Sequence, residues 1–508
     1  MSSLKGQILA CLRDVALFSQ AASGVRLRRY QCEVARSVVQ SVLQDLGLSF
    51  VVVFPRQSGK NELQAQIEAY LLTLLSKTPA ELVKVSPTWK PQSQNAMRRL
   101  ERVLKRNLLL EGRWRRESGY IYRVGEARLT FLSGAPGANI VGATASTLLE
   151  CDEAQDVLPA KWDKDIAPMA ASTNATRVFW GTAWSARTLL AREARLAREA
   201  EQQDGRRRVW VLSAEAVARE VPAYGRFVEE QVRRLGRQHP LVRTQFFSEE
   251  VDEEGGMFPP ARLERMRGGH PRQSGPAGQG GVYALLVDVA GEDEAAAQGE
   301  VPAAELRSPG RDSTALTVVA CDLSTLEDPL LQAPTYRVLD RRLWTGVRHT
   351  ALYGQLKALA ELWRARWLVI DATGVGAGLA SFLGRALPGR VLPFTFNLAS
   401  KSRLGWSFLS IVETGRYREY APEDAAQALF WGQARACRME IRPGPERRVS
   451  WGVPGGTRDP LSGEPVFDDL LLSAALCAVL EEQAWNLPGS AAIVPGRDPL
   501  EEMDEGGY

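Results

Sequence analysis

The sequence predicts an α/β protein with two successive domains, the first built on a mostly parallel sheet and the second on a mixed sheet. Three observations support this prediction. Apolar runs alternate with helix-like stretches in the first half, a Gly/Pro/Ser/Gln-rich break follows, and three strand-like runs then succeed one another directly. A chain of 508 residues is long enough for several domains, each with its own hydrophobic core.

Between residues 26 and 185, short apolar runs alternate with amphipathic stretches of helical spacing. Strands that alternate with helices pair in parallel and are covered on both faces, so this half predicts a mostly parallel sheet. The predicted strands are residues 49–54, 82–86, 127–133, 146–152 and 177–183, and the helical stretches include 61–76 and 92–109. The first domain is predicted to span 1–257, with 187–257 as a helical subdomain or lid.

The break is the segment GGHPRQSGPAGQGG, residues 268–281, which has no hydrophobic periodicity and predicts a linker over 258–281. The second domain is predicted to span 282–484. Its strand-like runs are 282–290, 314–323, 335–344 and 367–374. Residues 291–310 are predicted to be a flexible insertion, and the Pro/Gly/acid-rich residues 485–508 a disordered tail.

The composition is that of a soluble globular protein, with 45% hydrophobic and 24% charged residues and a net charge of +3. Six scattered cysteines and three histidines argue against a zinc site or a disulfide framework and indicate a reducing compartment. No secretion signal or membrane-length apolar run is present, so we expect an intracellular protein without membrane contact. Residues 98–128 carry ten Lys/Arg against four Glu, which predicts either a phosphate-attracting surface or a solvated face.

The segment FPRQSGKNE has the outline of a phosphate-binding loop at the end of an apolar run. Its turn could direct backbone N–H groups at a phosphate, and Lys60 could reach the β- and γ-phosphates of ATP. The candidate loop residues are Gln57, Ser58, Gly59, Lys60 and Asn61. Two positions depart from the usual pattern, because Phe54 replaces the first glycine and Asn61 replaces the Ser/Thr beside Mg²⁺. Taken alone, the segment is explained equally well by a surface lysine that happens to follow a glycine.

A pair of acidic residues, Asp152 and Glu153, ends the predicted strand in TLLECDEA. ATP hydrolysis needs one carboxylate to hold Mg²⁺ and another to orient or deprotonate the attacking water. Asp152 fits the first role and Glu153 the second. An acidic loop after a core strand is the alternative for the pair alone. A phosphate loop and an acidic pair in this order, each after a buried strand, together favour an ATPase.

Four acidic residues mark the second half. Asp288 interrupts its first apolar strand, Asp371 ends the run RWLVID, and Asp468 and Asp469 begin an apolar helix. Carboxylates from two strands and a helix could converge on two divalent ions about 4 Å apart and cut a phosphodiester. An all-oxygen site favours Mg²⁺ or Mn²⁺. Taken singly, Asp371 is explained equally well by turn capping, and Asp468 and Asp469 by helix capping.

The segment DATGVGAGLA, residues 371–380, also has to be weighed as a dinucleotide fingerprint. Its glycines follow the spacing G-x-G-x-G, whereas the fingerprint requires G-x-G-x-x-G. The sequence therefore disfavours a dinucleotide site at this position.

The motifs FPRQSGKNE, VSPTWKPQSQ, LLECDEA and FWGTAW together resemble the motor domain of phage large terminase subunits. The resemblance implies a P-loop ATPase in which Arg56 is catalytic, Tyr30 and Gln31 contact adenine, and Thr182 senses the γ-phosphate. Together with the loop, it gives as ATP-binding residues Tyr30, Gln31, Arg56, Gln57, Ser58, Gly59, Lys60, Asn61 and Thr182. Lys60, Arg56 and Glu153 are the expected catalytic residues of the motor.

One departure from the family pattern concerns the arginine that acts on the neighbouring subunit's ATP. At its usual position this sequence has Val141, before Gly142. Arg56, Arg128 or another basic residue would then have to supply that function.

The second half resembles the ribonuclease-H-like nuclease domain of the same family, and the resemblance covers about residues 26–480. It implies that Asp288, Asp371 and Asp468 or Asp469 hold two Mg²⁺ or Mn²⁺ ions and are catalytic for cleavage. GRDSTALTVV resembles the second strand of that domain and would place Asp312 near the metals. TFNLASKSRLGWSFLSIVETGRY resembles its lysine-bearing segment and makes Lys401 a candidate DNA phosphate contact.

The resemblance implies ATP-driven translocation of double-stranded DNA into a procapsid and metal-dependent cutting of concatemeric DNA. The implied partners are the portal protein and a small terminase subunit, with the chain monomeric when free and a homo-oligomeric ring on the portal. The implied location is the host cytoplasm, transiently docked at the procapsid portal, and not the mature virion. Two alternatives stay open: a helicase–nuclease of DNA repair, and a nucleotide-gated portal-binding protein with an inactive nuclease.

Overall fold

The structure is a computed structural model that describes residues 4–140, 142–251, 256–278, 280–290, 313–442, 448–459 and 463–485. The chain divides into two compact units. The first comprises Met1–Arg267, Phe396–Arg416 and Gln427–Asp468, and the second comprises Gly268–Thr395, Tyr417–Ala426 and Asp469–Tyr508. Both units have the α/β composition that the sequence predicts, whereas the predicted domain boundaries stay a prediction.

The bounds of the helices and strands are as follows. The helices are α1 (Leu4–Arg13), α2 (Val15–Ala22), α3 (Arg29–Leu43), α4 (Lys60–Leu74), α5 (Gln94–Arg106), α6 (Pro159–Lys161), α7 (Leu189–Asp204), α8 (Ala214–Glu220), α9 (Pro222–Leu235), α10 (Pro240–Phe246), α11 (Pro260–Met266), α12 (His349–Leu362), α13 (Gly376–Ala386), α14 (Leu398–Glu413), α15 (Ala425–Ala436) and α16 (Asp469–Ala475). The strands are β1 (Ser49–Val53), β2 (Glu81–Ser86), β3 (Trp114–Glu117), β4 (Ile121–Val124), β5 (Ala127–Ser133), β6 (Leu148–Cys151), β7 (Thr176–Gly181), β8 (Val209–Val211), β9 (Tyr283–Asp288), β10 (Ser313–Asp322), β11 (Thr335–Thr345), β12 (Trp367–Asp371), β13 (Val391–Phe394), β14 (Tyr417–Arg418), β15 (Arg438–Ile441) and β16 (Val449–Gly452).

The first unit is built on an eight-stranded sheet with the order β3-β4-β5-β2-β6-β7-β1-β8. The strands from β5 to β8 pair in parallel, and only β3 and β4 at one edge add antiparallel pairs. The prediction of a mostly parallel sheet is therefore confirmed. Helices connect β1 to β2, β6 to β7 and β7 to β8, as is usual for the crossover connections of parallel strands.

The strand β1, which lies between β7 and β8, is covered on both faces. Phe50 and Val52 belong to one hydrophobic cluster, whereas Val51 and Val53 belong to another. Successive side chains of a strand point to opposite faces, so the two clusters lie on the two sides of the sheet. This arrangement explains why β1 is a continuous apolar run and not an alternating one.

The stretch 187–257, predicted as helical, contains α7, α8, α9 and α10 and also the short strand β8. Strand β8 pairs in parallel with β1 through Val51 and Val209. With three residues, it is too short to show a period in the sequence, so pairing with β1 and not local propensity defines it.

The second unit contains a six-stranded mixed sheet with the order β13-β12-β9-β10-β11-β14. Strands β9, β10 and β11 form an antiparallel meander, and β12 then pairs in parallel with β9 on the other side. The prediction of a mixed sheet, with three consecutive strands and then strand–helix alternation, is confirmed. Its hydrophobic core includes Leu285, Val287, Leu316 and Ile370.

Several predicted features lie outside the described residues. They are the insertion at 291–310, Val141, Asp312 and all of the predicted tail except Trp485. Within the described part of the chain, no helix is both long enough and apolar enough to cross a membrane.

Candidate functional site

Three segments meet at the carboxyl ends of β6, β7 and β1, because these strands are parallel neighbours in the first sheet. Their carboxyl ends are followed by Asp152, Thr182 and the loop before Lys60, respectively. Ligands of open α/β sheets bind in the crevice outside the carboxyl ends of the strands. The fold therefore brings the predicted phosphate loop, the acidic pair and the Gly-Thr-Ala motif to the place where such a ligand would lie.

The phosphate loop is a tight turn that leads into α4. Gln57 and Gly59 both have left-handed backbone angles, with φ of 62° and 93°, and α4 begins at Lys60. Ser58 is buried, and its hydroxyl donates to the carbonyl of Pro55 at 2.7 Å. The turn places the N-terminus of a 15-residue helix at the sheet edge, which is a favourable position for an anion.

Gly59 cannot be replaced by a residue with a side chain without displacing its neighbours. A Cβ atom there would lie 2.7 Å from Gln31 Nε2 and 2.9 Å from Arg28 Nη1, and its positive φ would strain any other residue. The loop geometry therefore requires glycine at position 59, although Phe54 replaces the other glycine of the usual pattern.

The predicted adenine contacts lie against the loop backbone. Tyr30 Oη donates to the carbonyl of Ser58 at 2.7 Å, and Gln31 Nε2 donates to that of Gly59 at 2.9 Å. Arg28 Nη1 also donates to Ser58 O at 2.7 Å. Tyr30 and Gln31 are almost fully buried, so in this structure they support the turn, and their contact with adenine stays a prediction.

Lys60 and Glu153 form an ion pair across the cleft, with Nζ and Oε1 2.9 Å apart. Lys60 is 7% exposed and Glu153 is 25% exposed, so the pair lies at the cleft wall. Glu153 has a left-handed backbone with φ of 47°, which is uncommon for a residue with a side chain. Strained backbone of this kind is concentrated at functional sites.

Gln155 links Glu153 to the end of β7. Its Nε2 donates to Glu153 Oε2 at 2.8 Å, and its Oε1 accepts from the backbone N–H of Thr182 at 3.1 Å. A Cβ at Gly181 would lie 2.3 Å from that Oε1, so glycine is needed next to Thr182. The Gly-Thr-Ala motif is thus in contact with the acidic pair through one amide side chain.

Asp152 is buried at the end of β6 and is 3% exposed. Its Oδ1 accepts from Gln64 Nε2 at 3.0 Å, and Gln64 lies on α4. Asn61, the residue that replaces the usual Ser/Thr, is exposed and lines the same cleft. Oxygen atoms from Asp152 and Asn61 are donors of the type that Mg²⁺ prefers, so the residues present fit that ion.

Arg56 extends from the loop into solvent at the cleft rim. Its Nη1 donates to Gln245 Oε1 at 3.3 Å, and its backbone N–H donates to Gln245 O at 2.7 Å. The carbonyl of Arg56 accepts from Tyr224 Oη at 3.1 Å. Arg56 is therefore fixed at its backbone by α9 and α10, whereas its guanidinium group faces the cleft.

The cleft has a volume of about 780 Å³ and is lined by residues from the loop, the acidic pair, Thr182, α5 and α10. Its lining includes two cations, Lys60 and Arg56, and two carboxylates, Asp152 and Glu153. The volume is sufficient for a ligand of nucleotide size. This distribution of charge suits a polyphosphate that carries a divalent cation.

The candidate nuclease residues of the second unit lie at the edge of its mixed sheet. Asp288 ends β9 and Asp371 ends β12, and the register aligns Val287 with Ile370, so the two acids are neighbours. Asp371 Oδ1 accepts from Thr373 N at 2.8 Å. Burial raises the pKa of Asp371, and the hydrogen bonds with Thr373 partly oppose this shift.

Asp469 is buried at the start of α16, and its Oδ2 accepts from the backbone N–H of Ser313 at 2.9 Å. Ser313 lies two residues before Ala315, which pairs with Asp288. Asp469 therefore lies near the edge that carries Asp288 and Asp371.

Asp468 belongs to the first unit, where it is partly exposed. Its Oδ2 lies 3.8 Å from Lys401 Nζ, and the Lys401 ammonium lies 5.5 Å from the ring centroid of Trp451. Lys401 is 34% exposed, so it can reach a ligand, and its contact with DNA stays a prediction.

Within the described ranges, no three His, Cys, Asp or Glu side chains form a group that could hold a metal ion. Asp288 and Asp371 are two hard oxygen donors, which is the type that Mg²⁺ and Mn²⁺ require, and Asp469 is engaged with Ser313.

Sequence reasoning missed the residues that hold the acidic pair in place. Gln155 follows the pair by two positions, and Gln64 lies one helical turn after Lys60. Lys84 is a third such residue, and it interrupts the apolar run LVKVS. A charged residue inside a buried strand is uncommon, so this position could have been recognised from the sequence.

No protein-family model matches the sequence, and no curated protein matches it. The structure is similar to that of a large terminase from a thermophilic bacteriophage, at 9% sequence identity and a TM-score of 0.46, over 90% of this chain and 99% of that chain. It is also similar to the HK97 bacteriophage large terminase, at 12% identity and a TM-score of 0.40, over 92% and 99% of the two chains. The large terminase nuclease of thermophilic phage G20c with bound magnesium matches 44% of this chain and 97% of its own, at 17% identity and a TM-score of 0.30.

Proposed function

We propose that the chain is a DNA-packaging motor of the large terminase type, which hydrolyses ATP to translocate double-stranded DNA into a procapsid and cuts concatemeric DNA with a metal-dependent nuclease. The observation that carries this proposal is the meeting of the Lys60 loop with Asp152 and Glu153 at the carboxyl edge of a parallel sheet. Phosphoryl transfer depends on positioning and charge stabilisation, and these three residues supply both.

In the first unit, Lys60 would neutralise phosphate charge, and the backbone N–H groups of the loop would hold phosphate oxygens. Asp152 and Asn61 would hold Mg²⁺, which when bound neutralises charge between phosphate oxygens. Glu153 would orient the attacking water or accept its proton, and Gln155 would keep its carboxylate directed at the cleft. Arg56 at the rim would stabilise negative charge on the transferred group.

In the second unit, Asp288, Asp371 and Asp469 would hold the divalent ion or ions of a nuclease, with Asp468 as the further candidate. Bound Mg²⁺ or Mn²⁺ activates water and stabilises the leaving oxygen of a phosphodiester. Asp288 and Asp371 come from neighbouring parallel strands, so their spacing is set by the sheet and not by flexible loops.

DNA contact would be directed at the phosphate backbone, because a translocating motor cannot depend on base sequence. The exposed arginines Arg98, Arg102 and Arg106 of α5 are spaced four residues apart and thus lie along one stripe of the helix. Lys105 on the same helix pairs with Glu101 at 2.7 Å. This stripe supports the phosphate-attracting interpretation of the basic stretch.

The partners would be double-stranded DNA, a portal protein and a small terminase subunit. The chain would act as a homo-oligomeric ring on the portal and would be monomeric when free. It would work in the host cytoplasm, docked transiently at the procapsid, and would be absent from the mature virion.

Two substitutions test the two activities separately. Lys60→Ala should abolish DNA-stimulated ATP hydrolysis, with the exposed Lys77→Ala as the matched control. Asp371→Ala should abolish Mg²⁺- or Mn²⁺-dependent cleavage of plasmid DNA, with the exposed Glu327→Ala as its control. Survival of hydrolysis in the first variant would refute the motor assignment, and survival of cleavage in the second would place the nuclease elsewhere.

A further inference from the structure

Three ionisable side chains are buried behind the acidic pair of the first unit. Lys84 is 2% exposed, Glu68 is 1% exposed and Glu150 is 0% exposed. Lys84 lies in the middle of β2, and Glu68 lies on α4. Burying such groups is costly unless they are paired, and none of them reaches the cleft. These three side chains therefore do not contact a phosphate or metal in the cleft directly.

A chain of hydrogen bonds connects Lys84 and Glu68 to Asp152. Lys84 Nζ lies 2.6 Å from Glu68 Oε1 and 2.5 Å from Gln64 Oε1. On its other side, Gln64 Nε2 donates to Asp152 Oδ1 at 3.0 Å. Gln64 therefore stands between a buried cation and the carboxylate at the strand end.

The chemistry of the partners fixes which way the Gln64 amide faces. An ammonium group only donates hydrogen bonds, so Lys84 must face the amide oxygen. The amide NH₂ group is then obliged to face Asp152. Without Lys84 the amide could turn over and present its oxygen to the carboxylate, which would be repulsive.

The pairing also keeps Lys84 in its charged form. Burial alone would lower the pKa of Lys84, but the carboxylates around it, Glu68 foremost, raise its pKa above the usual value. Burial raises the pKa of Glu150, whose Oε1 accepts from Trp180 Nε1 at 2.8 Å.

We propose that Gln64 and Lys84 are positioning residues that hold the Asp152 carboxylate so that one oxygen is occupied and the other is presented to a divalent ion. The Gln64 hydrogen bond takes Oδ1, and in the part of the chain that the structure describes the carboxylate makes no further hydrogen bond. This inference rests on the proposed function, because it assigns the ion to Asp152. Second-sphere partners of this kind typically change metal affinity or activity 10–100-fold when they are removed.

The test compares divalent-ion binding in Gln64→Met and in the parent protein. Methionine has a similar length and lacks the amide, so the fold should be retained while the hydrogen bond is lost. We expect a 10–100-fold weaker affinity for Mn²⁺ in the presence of ADP, followed by electron paramagnetic resonance. The Mg²⁺ concentration for half-maximal ATP hydrolysis should rise by the same factor, whereas KM for ATP at saturating Mg²⁺ should stay within about twofold of the parent. Gln66→Met, on the same helix, is the matched control.

A second variant examines Lys84 without leaving an unpaired buried charge. Lys84→Met together with Glu68→Met removes both members of the ion pair, and we expect it to fold and to bind Mn²⁺ more weakly than the parent. If Gln64→Met binds Mn²⁺ as tightly as the parent does, the inference is wrong. If the parent itself binds no Mn²⁺ with ADP and hydrolyses no ATP, the proposed function fails as well.

Discussion

The buried histidine His239 makes the stability of the first unit depend on pH. It is 0% exposed, its Nδ1 accepts from the backbone N–H of Leu241 at 3.2 Å, and its Nε2 lies 3.3 Å from the carbonyl of Trp406. Since Nδ1 accepts, the proton is on Nε2, which donates to Trp406. Leu241 and Trp406 both line the candidate nucleotide cleft, so His239 stabilises a wall of that cleft.

Burial lowers the pKa of His239 from 6.5 to about 4, with a smaller contribution from the charge of Arg262, and the hydrogen bond to Trp406 opposes it. Below pH 6.5 the unfolded chain binds a proton at this residue and the folded chain does not, so the free energy of unfolding falls as the pH falls towards 4. The full effect corresponds to about 3 kcal/mol, and the part between pH 7 and pH 5 to about 2 kcal/mol.

The assay is urea unfolding at pH 7 and pH 5 for the parent and for His239→Asn. Asparagine keeps a side-chain oxygen that can cap α10 but has no proton to gain. We expect the parent to lose about 2 kcal/mol more than the variant between the two pH values, because all other titrating groups are shared. Equal losses in the two proteins would refute the reasoning.

Three further predictions concern single contacts. Gln155→Leu removes the hydrogen bond to Glu153 and should lower kcat for ATP hydrolysis roughly 10- to 100-fold, with ADP affinity measured by calorimetry unchanged. Gly181→Ala places a methyl group 2.3 Å from the Gln155 oxygen. It should lower the free energy of unfolding, measured with urea, by about 1–3 kcal/mol, and it should also lower kcat. Arg341→Met removes the ion pair with the buried Glu419 and should lower the free energy of unfolding by about 3–5 kcal/mol. The double variant Arg341→Met with Glu419→Leu should recover most of this loss, as measured by thermal melts. Loss of ADP binding in Gln155→Leu would contradict the first prediction, and an unchanged urea-unfolding free energy in Gly181→Ala would contradict the second. An unchanged thermal melt in Arg341→Met, or a failed rescue in the double variant, would contradict the third.

The sequence predicts the sheet edge of the first unit well because its signals are local. β1 is a run of apolar residues, and Lys60 follows a glycine turn at its end. Asp152 and Glu153 end another apolar run in the same way. The carboxyl ends of parallel strands all lie at the same end of the sheet, so the residues that follow these strands are expected to lie on that side. The meeting of these residues therefore followed from the strand pattern alone.

The residues that hold this edge could not be predicted in the same way, because their partners are distant in sequence. Gln64 is an ordinary helix residue until Lys84 and Asp152 are placed on either side of it. The contacts of Tyr30 and Gln31 with the carbonyls of Ser58 and Gly59 are likewise absent from the sequence pattern, and their contact with adenine stays a prediction. Side-chain direction, and not spacing, decides such contacts.

The adjacent residues Asp468 and Asp469 have different surroundings. Both are at the start of an apolar helix, and the sequence left open which of them is the metal ligand. The structure directs Asp469 to the backbone N–H of Ser313 in the second unit, whereas Asp468 lies beside Lys401 in the first. This favours Asp469 as the partner of Asp288 in the nuclease that we propose.

The two acids at the edge of the first sheet are held by different parts of the fold. Asp152 is held from α4, the helix that begins with Lys60, whereas Glu153 is held by Gln155 from the end of β7 at Thr182. A phosphate at Lys60 would compete with the Glu153 carboxylate, because both present anionic oxygen to the same ammonium group. A displaced Glu153 would still be linked to Thr182 by the hydrogen bonds of Gln155, whereas Asp152 is hydrogen-bonded to Gln64 on α4. Occupancy of the proposed phosphate loop would therefore be transmitted to the end of β7 by one glutamine, while Asp152 stays in place.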